Sequence, residues 1–220
     1  MSDRQSIVER LGGATRADFD QNYWGASDQW LDAATGQEID AVYFDAAWMA
    51  SQLGRVLDEH APSLGYTTAF WHTVRHSRPL HDPTGWFADQ QRRAAVAYPE
   101  PLRRAIVAHN HPVLRGILTS YRTQIAKAVA RDDLVSVNHR LAALLAGYFD
   151  ILFAVNRVPH PGEKRLLAHA ATLCPSLPAD MAADVTAALA AAGAAPGELL
   201  VHLDRLLDRL DEWLAVARFS

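Results

Sequence analysis

Acidic side chains within the first fifty positions, and one basic turn far downstream, have the residue types and spacing to do chemistry. Asp40 stands between Ile39 and Ala41 in the apolar run Gln37-Glu38-Ile39-Asp40-Ala41-Val42-Tyr43-Phe44. An acid in such a strand either faces solvent in the alternation or occupies a site. Asp18 and Asp20 form an Asp-x-Asp in a second extended stretch, Thr15 to Tyr23. Residues two apart on a strand point to one face, so Asp18, Asp20 and Asp40 on paired strands are a candidate set for magnesium, a hard cation that takes oxygen ligands. The bland alternative is a row of solvated aspartates.

Pro161-Gly162-Glu163-Lys164-Arg165 offers the opposite charge. Gly162 permits a tight turn, a helix start presents unsatisfied amide hydrogens, and Lys164 adds a mobile ammonium, which together suit a phosphate. Glu163 belongs to the same candidate site. Read plainly, the same residues are a helix start with Glu163 complementing its dipole and Lys164 in water. On the long apolar segment before this turn, His139, Ala143, Ala146, Asp150 and Arg157 fall near one line. That line is either a shallow ligand groove, with His139 and Asp150 contacting the ligand, or a solvated stripe with alanine filler.

Other chemistries lack their entry points. The ten histidines are scattered; only His72 and His76 share a helix-face spacing, and no His-Glu-x-x-His pattern supports zinc. No Gly-x-Ser-x-Gly elbow, Gly-Lys-Ser/Thr loop or Gly-x-Gly-x-x-Gly turn is present. The single cysteine, Cys174, has no nearby group to lower its pKa and no partner for an intrachain disulfide. Nothing points to secretion, and the cytoplasm is the default expectation.

The elements that must position these residues follow from periodicity. A short helix is expected over Ser6 to Leu11. The two extended stretches follow, separated by a loop or hairpin from Gly25 to Gly36. From Asp45, a cap candidate, the pattern turns helical and stays so. Helices are expected through Leu57, over Tyr66 to His76, where Thr67 to Trp71 would also suit a strand, over Trp86 to Ala97, from Pro99 to near His109, and from Pro112 through Val129, with Val113, Leu114, Ile117, Leu118, Tyr121, Ile125 and Val129 on one apolar face. The longest runs from cap candidates Asp132 and Asp133 to Asn156, with Leu134, Val137, Leu141, Leu144, Leu145, Tyr148 and Leu152 inward. Ala179 to Ala192 and Pro196 to Ala217 complete the set. Leu199, Leu203, Leu206 and Leu210 of the last helix are bundle core or, alternatively, the seam of a homodimer. The fold class expected is α+β, mostly α: a small partial sheet up to about residue 60, then an antiparallel helical bundle.

At 220 residues, with 50% hydrophobic and 21% charged side chains, the chain has enough material for a sizeable core. Its formal net charge of -4 argues against a duplex nucleic-acid binder, which needs a basic surface. No membrane span is expected.

Four segments carry a resemblance. They are Gly36 to Tyr43, Arg78-Pro79-Leu80-His81-Asp82-Pro83-Thr84-Gly85, Tyr98-Pro99-Glu100-Pro101-Leu102-Arg103, and Phe153-Ala154-Val155-Asn156 leading to Pro161-Gly162-Glu163-Lys164-Arg165-Leu166. Together they resemble bacterial nucleotidyltransferases of the DNA polymerase β-like superfamily. The likeness is closest to members with an uncharacterised helical domain behind a minimal catalytic core, relatives of the antibiotic-modifying enzymes. It runs from about Thr15 to Leu167. In that family a Gly-Ser turn binds nucleotide phosphates, an Asp-x-Asp holds two magnesium ions, and a carboxylate on a neighbouring strand completes the site. Asp40 matches that last carboxylate, as metal ligand or base.

The chain has no Gly-Ser dipeptide, and Asp18/Asp20 follow Gly12-Gly13 too closely for the family's interval. The resemblance therefore implies a catalytic half lying upstream of Met1, in a product either truncated or a natural remnant. The implied ancestral reaction moves a nucleoside monophosphate from a nucleoside triphosphate to a small-molecule hydroxyl, with Mg2+ as cofactor and Asp40 and Lys164 facing one cleft. Activity is expected to be impaired. The alternative is a non-catalytic ligand-binding or protein-interaction helical module.

Overall fold

In the computed structural model, residues 3–217 are described, and they divide between Ala50 and Ser51 into two compact units. The first unit opens with α1 (Asp3–Arg10). A three-stranded antiparallel sheet follows, with β1 (Ala14–Gln21), β2 (Ser27–Asp32) and β3 (Glu38–Val42) in the order β1-β2-β3. The central strand lies inside the stretch expected to be loop or hairpin. Ser27-Asp28-Gln29-Trp30-Leu31-Asp32 lacks the β-branched run that marks a strand, and pairing on both edges supplies what propensity does not. The β2–β3 turn is closed by Asp32, whose carboxylate accepts from the Thr35 amide at 2.8 Å while Gly36 adopts φ +69°.

α2 (Ala46–Leu57) begins in this unit and runs into the second. Asp45 caps it as the sequence predicts, accepting from the Trp48 amide at 3.0 Å.

The second unit is helical: α3 (Ala69–His76), α4 (Trp86–Ala94), α5 (Glu100–His111), α6 (Tyr121–Val129), α7 (Leu134–Val155), α8 (Leu166–Leu173), α9 (Met181–Ala194) and α10 (Pro196–Val216). α7 is its axis and packs against α5, α6, α8 and α9. Its predicted inward residues Val137, Leu141, Leu144, Tyr148 and Leu152 are buried, whereas Leu134 at its open end is not. Leu199, Leu203, Leu206 and Leu210 of α10 are buried in the core of this same unit.

The helix expected over Pro112 to Val129 is two pieces. Pro112–Gly116 forms a π-helical turn at the end of α5, the chain breaks over Ile117 to Thr119, and Ser120 caps α6. Proline cannot donate to the preceding turn, which favours a wider one. Ile117 and Leu118, expected on the apolar face, are exposed in consequence. The fold class is α+β, mostly α. Among the described residues no helix is long and apolar enough to cross a membrane.

Candidate functional site

In the first unit Asp18, Gln29 and Asp40 are register partners across the three strands, so they form one row on one face of the sheet. Asp40 is exposed. Asp18 is paired with Arg16 at 3.2 Å. Asp20 does not join them. A register shift between Asp18 and Gln21, with Asp20 at φ +57°, breaks the alternation on which the shared-face expectation rested. The Asp20 carboxylate is instead ion-paired to Arg4 of α1. Asp18, Asp20 and Asp40 therefore do not fit a shared magnesium set. Among the described residues, no group of three His, Cys, Asp or Glu side chains is placed to hold a metal ion.

The carboxylate that organises this unit is one the sequence did not mark. Asp28, 1% exposed, accepts from Arg4 at 2.9 and 3.1 Å, from the Asp20 amide at 2.8 Å and from the Tyr43 hydroxyl at 2.7 Å. Its hydrogen bond holds the Tyr43 phenol above the usual range, with burial adding to the effect. A buried carboxylate so saturated is structural: it fastens α1 to the sheet.

In the helical unit a groove of about 430 Å³ runs along α7. It is lined by Leu141, Leu145 and Ala146 of α7, by Glu163 and Lys164 of the turn before α8, and by Leu189 of α9; Tyr66 and Asn138 supply further polar groups. Of the stripe expected along α7 only Ala146 lines this groove, where it joins Glu163 and Lys164 of the basic turn. Lys164 sits in the turn before α8, which starts at Leu166 rather than at Glu163. His139 is exposed on α7 but does not line this groove. Arg157 is paired with Glu100 at 3.1 Å.

Asp150 corrects the expected stripe most sharply. It is 1% exposed because the loop from Ser63 to Thr68 closes over it. The Thr67 amide and hydroxyl donate to its carboxylate at 3.0 and 2.6 Å, and the Asn110 amide donates at 3.3 Å. Asn110 also accepts from the Gly65 amide at 3.1 Å and donates to the Ser63 carbonyl at 2.9 Å. Burial pushes the Asp150 carboxyl up to about 7 against the downward pull of those donors. Asp150 meets no ligand in the groove; it anchors the loop that carries Tyr66.

The turn on the other side is fastened to the same loop. The His160 amide donates to the Thr68 hydroxyl at 2.7 Å, and the Gly162 amide donates to His160 Nδ1 at 3.1 Å. The ring proton therefore resides on Nε2, which has no hydrogen-bond partner among the described residues. The ring is enclosed edge-on by Tyr66 and Phe153, each with centroids 4.9 Å away. Burial, with His72 nearby, lowers its pKa to about 4. Tyr66 is shifted upward by burial and by Glu163, so it stays a phenol and a donor at neutral pH.

His72 and His76 share the face their spacing predicts, with stacked rings 4.1 Å apart, and His72 Nδ1 lies 3.2 Å from the Pro159 carbonyl. Burial pushes the Cys174 thiol up to about 12, which keeps it protonated at neutral pH.

Tyr66, Thr67, Asn110 and His160 escaped the sequence reading. The helix expected over Tyr66 to His76 begins only at Ala69, so Tyr66 and Thr67 belong to the loop before it. No protein-family model, no curated protein and no solved structure matches the chain.

Proposed function

We propose that this chain is a nucleotidyltransferase-like protein of the DNA polymerase β-like superfamily, impaired in catalysis. Its helical unit keeps a groove for a small, phosphate- or carboxylate-bearing partner molecule. The ancestral reaction is transfer of a nucleoside monophosphate from a nucleoside triphosphate to a small-molecule hydroxyl. The observation that carries the binding part is the placement of Lys164: the Pro161-to-Arg165 turn brings an exposed lysine to a groove also lined by Tyr66, whose loop is fixed by a buried network. An ammonium and a phenol can meet an anion, and neither can transfer a phosphoryl group unaided.

The impairment follows from the aspartates. Stabilising a transferring phosphoryl group requires concentrated positive charge, which magnesium ordinarily supplies. Arg16 holds Asp18 and Arg4 holds Asp20, leaving Asp40 without a second free carboxylate from this pair. The ligand-binding module without catalysis is the second reading, and the same arginine pairings favour it.

Isothermal titration with Mg-ATP separates the two. The transferase-like reading expects magnesium-dependent nucleotide binding that weakens about tenfold in Lys164→Gln, the loss of one charge-assisted contact. Absence of magnesium-dependent nucleotide binding at millimolar ligand removes that reading and leaves the binding module.

A further inference from the structure

The groove beside Lys164 does not end at its polar wall. A second hollow of about 440 Å³ continues from it between α7, α8 and α9. The two share Leu145, Leu166 and Leu189, and the second adds Phe149, Leu167 and Val185. The shared residues join a polar end built from Tyr66, Asn138, Glu163 and Lys164 to a hollow that is apolar apart from Arg165. Leu189 is 51% exposed, an unusual placement for a leucine that two hollows share. Scattered surface leucines need no explanation, but apolar side chains aligned along a concave path ending in charge do.

The polar end is rigid. Gly65 rests so close to α7 that a Cβ there would lie 2.8 Å from the Ala146 Cβ, and its amide is held by Asn110. Thr67 is held by buried Asp150. Between these two anchors Tyr66 is pinned at φ +55°. Behind it His160, with an unpartnered and fully buried Nε2, packs against the tyrosine ring. Tyr66 is thus held at its backbone and along one ring face while 38% of its surface stays open to solvent.

Charge bears on the kind of head group. Lys164 at the groove and Arg165 at the second hollow carry two positive charges and Glu163 one negative, so the turn as a whole suits a single anionic group. The second hollow suits an alkyl or aryl body, and each hollow by itself is in the size range of small-molecule sites.

We propose that this groove holds an amphiphilic small-molecule anion. One phosphate or carboxylate meets the Lys164 ammonium and the Tyr66 hydroxyl, and an alkyl or aryl body lies against Leu145, Leu166 and Leu189. The inference rests on the binding part of the proposed function and names the chemical class of its ligand. It does not require nucleotide transfer.

The test is calorimetric titration of the full chain with octyl phosphate and octanoate below their micellar concentrations, with inorganic phosphate and octanol as controls. Octyl phosphate is expected to bind at least about tenfold more tightly than inorganic phosphate, because buried methylenes add to the charge contact. The octanoate arm tells a carboxylate head from a phosphate head. Lys164→Gln is expected to weaken both octyl anions about tenfold and leave octanol unchanged. Leu189→Gln, at a half-exposed position, is expected to weaken anions and octanol alike while circular dichroism shows the fold intact.

Equal affinity for octyl phosphate and inorganic phosphate overturns the proposal, as does alkyl-anion binding indifferent to both substitutions. If octyl phosphate binds as expected while Mg-ATP does not, the transferase reading falls and the groove assignment stands. If Mg-ATP binds through Lys164 but the alkyl chain adds nothing, only the amphiphile assignment falls.

Discussion

Burial acts with opposite sign on the carboxyl of Asp150 and the imidazole of His160, two groups tied to the same loop. It lifts Asp150 to about 7 and presses His160 to about 4. Between about pH 4 and 7 the native chain keeps a proton on Asp150 that an unfolded carboxyl has released. That contribution to stability is fully present at low pH and is lost as pH rises through 7. For His160 the unfolded chain holds a proton, up to about pH 6.5, that the native imidazole refuses, so its contribution rises with pH. Each slope is about 1.4 kcal/mol per pH unit, and His72, also lowered by burial, acts in the sense of His160. Urea denaturation at successive pH values between 4.5 and 6.5 is therefore expected to show a shallow profile for the native sequence. Asp150→Asn should gain stability with rising pH, and His160→Gln should gain less with rising pH than the native sequence, or lose it. An Asp150→Asn profile parallel to the native one would remove the buried carboxyl from this account.

At the level of elements, the loop from Ser63 to Thr68 decides whether α7 presents a groove. Its closest approach is Gly65 on Ala146, where a methyl group meets both Cβ and backbone, and where φ is +80°. Gly65→Ala is expected to cost about 1–3 kcal/mol through strain and overpacking. Because Tyr66 follows directly, the same substitution should also weaken octyl phosphate binding more than Leu64→Ala, a change at a neighbouring exposed position. Equal losses would mean that the loop tolerates displacement without moving Tyr66. Periodicity made α7 and α10 legible because their apolar residues face one core over many turns. It failed for Asp150, since a helical stripe records which residues share a face and not which loop covers them. It failed for β2 as well: both faces of Ser27–Asp32 mix polar and apolar residues, and only pairing to β1 and β3 makes the segment a strand. The site was half visible. Lys164, Glu163 and Ala146 were singled out from type and spacing, while Tyr66 reaches them only through contacts distant in sequence.

For the whole molecule, the two units differ in what holds them. Among the described residues the buried apolar side chains lie almost entirely from Leu53 onward, with Val8 the one before it. The first unit relies instead on its strand ladder and on the Asp28 cluster of Arg4, Tyr43 and the Asp20 amide. A piece of about 50 residues with so little apolar burial and no disulfide has marginal stability of its own. Hydrogen exchange read by mass spectrometry should thus divide the chain. Amides of β1, β2 and β3 are expected to be protected at least about a hundredfold less than those of α7, whose opening approaches global unfolding. Asp28→Asn should lower strand protection further and leave α7 unchanged, since none of the Asp28 partners belongs to the helical unit. Equal protection across both units would show that the sheet draws on stabilisation beyond its own hydrogen bonds.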